Sequence, residues 1–223
     1  MKRWSAAFAL CVSLVSLPVV ADEHPATEGV APAAARQMLE EGNNRYTSSA
    51  VRPRRYKSER PALSKGQHPY AMVLSCADSR VPPEIVFDES LGKLFVVRVA
   101  GNVASPDELA SLEYATEHLG ARYLVVLGHT SCGAVKAAMD KDDPTPNLGT
   151  LLKEIRPAID TAKAKGGDPA AVQSGAEKAN VQLQMQNVAA KSEVLKKAIA
   201  DGKIGLAGGV YDLKTGKVEW LAP

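Results

Sequence analysis

The sequence predicts an α/β fold: a mostly parallel central sheet of four to five strands flanked by helices, with a C-terminal hairpin strand. Three observations lead there. Continuous apolar runs at residues 70–75, 94–100 and 123–127 have the composition of strands buried on both faces. Helical patterns separate these runs, and strands alternating with helices imply parallel pairing through crossover connections. Finally, residues 204–210 read as a strand and residues 211–220 as the hairpin strand that follows it.

Each element has its own local reason. Met1-Lys2-Arg3 is a basic start, residues 6–20 are almost wholly apolar, and Val19-Val20-Ala21 is a small-residue cleavage site. Residues 1–21 are therefore expected to be a secretory signal peptide cleaved after Ala21, too short for a spanning helix and broken by Pro18. Residues 22–32 read as a flexible start to the mature chain, and residues 33–223 as one domain. Residues 33–46 carry Met38, Leu39 and Tyr46 near helical spacing and are expected to form an amphipathic helix. The Pro-, Arg- and Ser-containing stretch 47–67 reads mainly as loop. Ser105-Pro106-Asp107-Glu108 is a helix start that runs to about Leu119, where Gly120 ends it. Residues 133–139 are expected to be a short helix and 148–162 another, and Asp168-Pro169 starts a long helical segment continuing to about Ala200.

Charge and cysteine usage narrow the function. The chain has 27 basic and 25 acidic residues. Loss of Lys2 and Arg3 with the signal makes the mature chain formally neutral. Arg52, Arg54, Arg55, Lys57 and Arg60 form a local basic cluster with Tyr56 alone among them, read as a solvated surface segment. No nucleic-acid partner is expected, nor a membrane one after signal removal. Cys11 leaves with the signal, so Cys76 and Cys132 are the cysteines of the mature protein, and by count alone an exported pair reads as one disulfide.

The surroundings of those cysteines offer a second reading. Cys76-Ala77-Asp78-Ser79-Arg80 follows one predicted strand and His129-Thr130-Ser131-Cys132-Gly133 another. Ligands in parallel sheets sit at the carboxyl ends of strands, where both segments fall. Two thiolates and an imidazole are a set of three zinc ligands, and three protein ligands leave a fourth position for catalysis. Asp78 and Arg80 lie beside that position. Taken singly, the same residues are also compatible with a core histidine, buried thiols and an ordinary ion pair.

In combination they resemble the beta class of carbonic anhydrases. The resemblance covers about residues 39–221. It includes Gly42-Asn43-x-Arg45-Tyr46, Gly66-Gln67-x-Pro69, the segment from Cys76 to Val81, Phe95-Val96-Val97-Arg98-Val99-Ala100-Gly101-Asn102, the segment from Gly128 to Ala134, and Tyr211-Asp212-Leu213-x-Thr215-Gly216-Lys217-Val218.

The resemblance implies a Zn2+ cofactor held by Cys76, His129 and Cys132, and reversible hydration of carbon dioxide to bicarbonate and a proton. Zinc hydroxide would be the nucleophile, its water brought from a pKa of 15.7 toward roughly 7 to 9. Asp78, paired with Arg80, would orient that group; released, it would become a fourth metal ligand and close the site. Gln67 would bind substrate, Phe95 and Tyr114 would line the pocket (Tyr114 from a neighbouring subunit), Ala100 would form an apolar wall, and Gly133 would expose a backbone N–H. The expected assembly is a homodimer or a dimer of dimers, in the periplasm or secreted. Val73 stands where some members carry a tryptophan of an inhibitory bicarbonate site, so that site is not expected. His24, His68 and His118 read as surface residues. The rival readings are a related zinc hydrolase of carbon disulfide or carbonyl sulfide, and a zinc-binding protein without turnover.

Overall fold

The computed structural model describes residues 29–140 and 145–222. The expected signal peptide, most of the polar segment after it and His24 lie outside the described residues.

The sheet has five strands: β1 (Ala71–Ser75), β2 (Leu94–Arg98), β3 (Tyr123–His129), β4 (Gly205–Tyr211) and β5 (Val218–Leu221). Their order is β2-β1-β3-β4-β5; the first four are parallel and β5 returns antiparallel on β4. The predicted fold class holds. The helices are α1 (Pro32–Thr47), α2 (Tyr56–Leu63), α3 (Pro83–Val86), α4 (Pro106–His118), α5 (Gly133–Met139), α6 (Pro146–Lys153), α7 (Arg156–Ala164), α8 (Pro169–Lys191) and α9 (Glu193–Ala200).

Alternate strand residues serve opposite faces, as the two-residue strand period requires. Met72, Leu74, Leu124 and Val126 pack with Leu112 of α4, Val181 of α8 and Leu195 of α9. Ala71, Val73, Val125 and Leu127 pack on the other face with Leu39 of α1 and with Phe87. Every residue of β1 and β3 is buried, which explains their unbroken apolar character.

Several boundaries depart from the sequence reading. Residues 94–100 were expected to be a strand buried on both faces, but β2 ends at Arg98 and only Leu94 in it is buried. β2 has one sheet neighbour, β1, so an apolar edge strand carries the same pattern as a central one. The stretch 47–67 contains α2, despite Pro61 inside it and no buried residue. A helix without an apolar stripe leaves no periodic signal.

The helix expected over 148–162 is two, α6 and α7, because Pro157 lacks the N–H needed to continue the first. The segment 168–200 also breaks, at Ser192 (φ −127°, ψ 112°), whose hydroxyl caps α9 by accepting from the Leu195 N–H. The one-turn helix α3 was not expected. Ser105 takes the extended backbone of an N-cap, yet its hydroxyl makes no cap bond. Gly120 does end α4, at φ +69°.

The basic cluster is partly structural rather than wholly solvated. Asp88, with a fully buried side chain, accepts from Arg45 Nε at 2.6 Å, from the Arg54 guanidinium and from the Arg52 backbone N–H.

Candidate metal centre

β1 lies between β2 and β3, so the chain leaves it toward one edge and later returns on its other side. The carboxyl ends of β1 and β3 are therefore the topological switch point of the sheet, where parallel folds open a crevice. Cys76 follows β1 and His129 ends β3 there, with Ser75 paired to Leu127. Cys132 stands at the N-cap of α5, after a turn in which Ser131 adopts φ +54°. The ligand atoms of Cys76, His129 and Cys132 all lie within 4.8 Å of one another, and all three residues are buried. Both cysteines are free thiols, so the cysteine-count expectation of a disulfide is not met.

These residues fit a zinc ion. His129 Nδ1 is 2.9 Å from the Thr130 carbonyl, to which it donates, so the Nε2 lone pair faces the two sulfurs. That Nε2 is buried and has no hydrogen-bond partner. The contact between the thiols lowers the pKa of Cys76, while that contact and burial raise the pKa of Cys132. Burial opposes charge on His129, but the Cys76 thiolate outweighs it and raises its pKa. Two sulfurs and an unpartnered imidazole nitrogen converging in one buried pocket form a donor set that a cation completes.

Asp78 and Arg80 lie beside the cluster. Arg80 binds Asp78 with both prongs of its guanidinium, Nε to Oδ1 at 2.9 Å and Nη2 to Oδ2 at 2.7 Å, and its backbone N–H also reaches Oδ1 at 2.9 Å. The Arg80 side chain holds the Asp78 carboxyl well below the usual carboxylate range. Asp78 Oδ2 is 3.8 Å from His129 Nε2.

The remaining expected site residues divide into two groups. Ala100 and Gly133 belong to the metal end: the Gly101 N–H next to Ala100 donates to Cys76 Sγ at 3.3 Å, and Gly133 directly follows Cys132. A Cβ on Gly133 would meet nothing within 4 Å, so crowding does not explain the glycine. Gln67 is not at the metal end of its own chain. It precedes β1, whose length separates it from Cys76, and lines an open groove of about 700 Å³ with Leu63, Leu91 and Gly92. Phe95 pairs with Met72 in the first half of β1 and touches Tyr114, ring centroids 6.3 Å apart. Tyr114 is 49% exposed, so these aromatics form an outer patch rather than a wall of their own chain's metal pocket. His68 and His118 are exposed as expected, and Val73 is buried in the core.

Two site residues were missed by sequence reasoning. Arg98 donates from Nε to the Cys76 carbonyl at 3.1 Å and from Nη2 to the Asp78 carbonyl at 2.7 Å, tying down the loop that carries both. A cation closing an apolar strand was its signal. Glu177 of α8, 5% exposed, accepts the Cys132 backbone N–H at 3.0 Å. An acid on the apolar stripe of Val181, Met185 and Val188 could have flagged it.

Comparison with known proteins agrees with this geometry. The family model described as Carbonic anhydrase matches residues 71–218, from the first strand to the last. Carbonic anhydrase 2 of Mycobacterium tuberculosis is 35% identical over 191 residues, covering 83% of this chain and 91% of that protein. A carbonic anhydrase of Mycolicibacterium smegmatis is 37% identical over 196 residues, covering 84% and 92%. Among solved structures, a Coccomyxa beta-carbonic anhydrase in complex with acetazolamide superposes with a TM-score of 0.65 at 30% identity, covering 80% of this chain and 82% of that one. A tetrameric beta-carbonic anhydrase from Sordaria macrospora gives a TM-score of 0.66 at 26% identity, covering 75% and 90%. Sequence, fold and ligand cluster converge over most of its length, and the chain belongs to the beta class of carbonic anhydrases.

Proposed function

We propose that this chain is an exported, zinc-dependent carbonic anhydrase that interconverts carbon dioxide and bicarbonate. The observation that carries the reading is the buried Cys76–His129–Cys132 cluster with the Asp78–Arg80 pair 3.8 Å from its imidazole. When bound, zinc supplies the Lewis acidity that makes a coordinated water a nucleophile near neutral pH.

The chain's own residues supply orientation and control. Asp78 stays ionised and accepts hydrogen bonds, since the Arg80 guanidinium grips both of its oxygens. An anchored carboxylate fixes the direction of a donor bound next to it. Released from Arg80, the same carboxylate, 3.8 Å from the imidazole, would be a further oxygen donor to a metal held by the cluster. Arg80 is 55% exposed in its side chain, so this pair is open to solvent and its attraction is screened. Its value is geometric, through the two-pronged contact, more than energetic.

The working unit we infer is a homodimer, alone or as a dimer of dimers. Support comes from the separation of Gln67, Phe95 and Tyr114 from the metal end of their own chain, and from the tetrameric Sordaria relative. A second copy would bring these residues to the first copy's metal pocket. Export to the periplasm or beyond is inferred from the basic and apolar start of the sequence.

Stopped-flow carbon dioxide hydration by the zinc-loaded protein tests the function, with carbon disulfide and carbonyl sulfide as competing substrates. Rapid hydration abolished by His129→Ala is the expected result. Turnover of the sulfur substrates alone would reassign the reaction, and tight zinc binding without turnover would make this a zinc-binding protein.

A further inference from the structure

One helix supports both thiolate-bearing loops. Along α8, Glu177, Asn180 and Gln184 follow at helical spacing on the face turned toward the sheet, and each is at most 5% exposed. Polar side chains buried on an apolar stripe are costly unless each is hydrogen-bonded. All three are, and their partners converge on the metal ligands.

Glu177 Oε1 accepts the backbone N–H of Cys132 at 3.0 Å and Gln173 Nε2 at 3.1 Å. Asn180 Nδ2 donates to the Gly101 carbonyl at 2.8 Å, and the Gly101 N–H donates to Cys76 Sγ at 3.3 Å. Gln184 donates to Asn180 Oδ1 at 3.1 Å and accepts the Ala104 N–H at 3.0 Å, fixing the loop on the far side of Gly101. Gly101 itself sits at φ +71°, and a Cβ there would lie 2.5 Å from Ile155 Cδ1. That peptide is thus tightly confined. α8 lies equally close to β3, where a Cβ on Gly128 would meet Val181 at 2.5 Å.

We propose that Glu177 and Asn180 are positioning residues that set the separation of Cys132 and Cys76, with α8 as their common support. Cys76 and Cys132 sit on loops after neighbouring strands; the pairing of β1 with β3 brings the loops together, and the supports of each loop set where its sulfur lies. Two side chains one helical turn apart convert the rigidity of α8 into a fixed spacing of the two sulfurs. The metal site is then organised before the metal arrives, and less ordering is left to be done on binding. The proposal rests on the zinc reading of the cluster.

Chelator competition on the full mature chain measures zinc affinity, and the absorption of the Co(II)-substituted protein reads thiolate geometry. Glu177→Ala and Asn180→Ala should each weaken zinc by about 10- to 100-fold and alter the cobalt spectrum. Glu177→Gln keeps an oxygen acceptor for the Cys132 N–H and should stay within about threefold of wild type. Alanine variants that keep wild-type zinc affinity and cobalt spectrum, losing only melting temperature, would overturn the proposal. So would a Glu177→Gln variant that binds zinc about tenfold or more weaker than wild type, which decides the matter if the alanine variants fail to fold. A wild-type chain that binds no zinc would overturn the zinc reading as well, whereas the variant results bear on the positioning role alone.

Discussion

Asp78 and His129 meet through a single oxygen. Asp78 Oδ2 lies 2.7 Å from Arg80 Nη2 and 3.8 Å from His129 Nε2, so one atom faces the arginine and the metal ligand together. Arg80 holds that oxygen and His129 does not, so the arginine contact is what keeps the carboxylate in place.

Removing the arginine side should therefore close the site. Arg80→Ala is expected to cut carbon dioxide hydration by about tenfold or more, with little change in melting temperature because the pair is solvent-exposed. X-ray absorption at the zinc edge should report an added carboxylate oxygen. Turnover near wild type would defeat the gating reading.

The pH dependence of stability should report Asp88. Burial opposes its ionisation, but Arg45, the Arg52 amide and Arg54 outweigh burial and lower its pKa. A carboxyl whose folded pKa is depressed stabilises the fold above its unfolded value and loses that contribution as pH falls through the folded one. Asp88→Asn should thus lose about 3 kcal/mol at pH 7. The gap to wild type should narrow as denaturation curves are moved below the ordinary carboxylate range. A gap independent of pH would refute this.

Metal removal should change the thiols. With zinc bound, Cys76 and Cys132 should resist a thiol reagent; after chelation they should react, and in air join each other. Peptide mapping of the chelated, air-exposed protein should find them linked. Two unlinked thiols after such exposure would contradict the prediction.

Activity should rise with pH across the range set by the ligands. Two thiolates offset most of the metal's charge, so hydration should climb between about pH 7 and 9. A flat profile from pH 6 to 9 would contradict a two-thiolate site.

If Gln67 serves the neighbouring copy, broken chains should rescue one another. Gln67→Ala and Cys132→Ala should each be impaired alone, while an equal mixture refolded together should regain roughly a quarter of wild-type activity through mixed dimers. Mixtures no better than their parents would place Gln67 outside the partner's site.

Much of this was legible in the chain. The unbroken apolar character of β1 and β3 follows from burial on both faces, so strand identity and the position of Cys76 and His129 could be read locally. The motif spacing named the three side chains that the fold brings together. Helix breaks at Pro157 and Ser192 were harder, because apolar periodicity runs on across them. The edge position of β2 was not readable at all, since whether a strand has one neighbour or two is a property of the sheet.

The sequence by itself determined which side chains form the candidate metal cluster and which strand ends carry them, because side-chain chemistry and hydrophobic period are local properties. Only the tertiary structure decided that Glu177 accepts the Cys132 N–H and Asn180 reaches the Gly101 carbonyl, that Arg98 ties down the Cys76 loop, and that Gln67 stands apart from its own chain's cysteine cluster. Those relationships join residues distant along the chain, and they come into being when the strands pair and α8 packs across them.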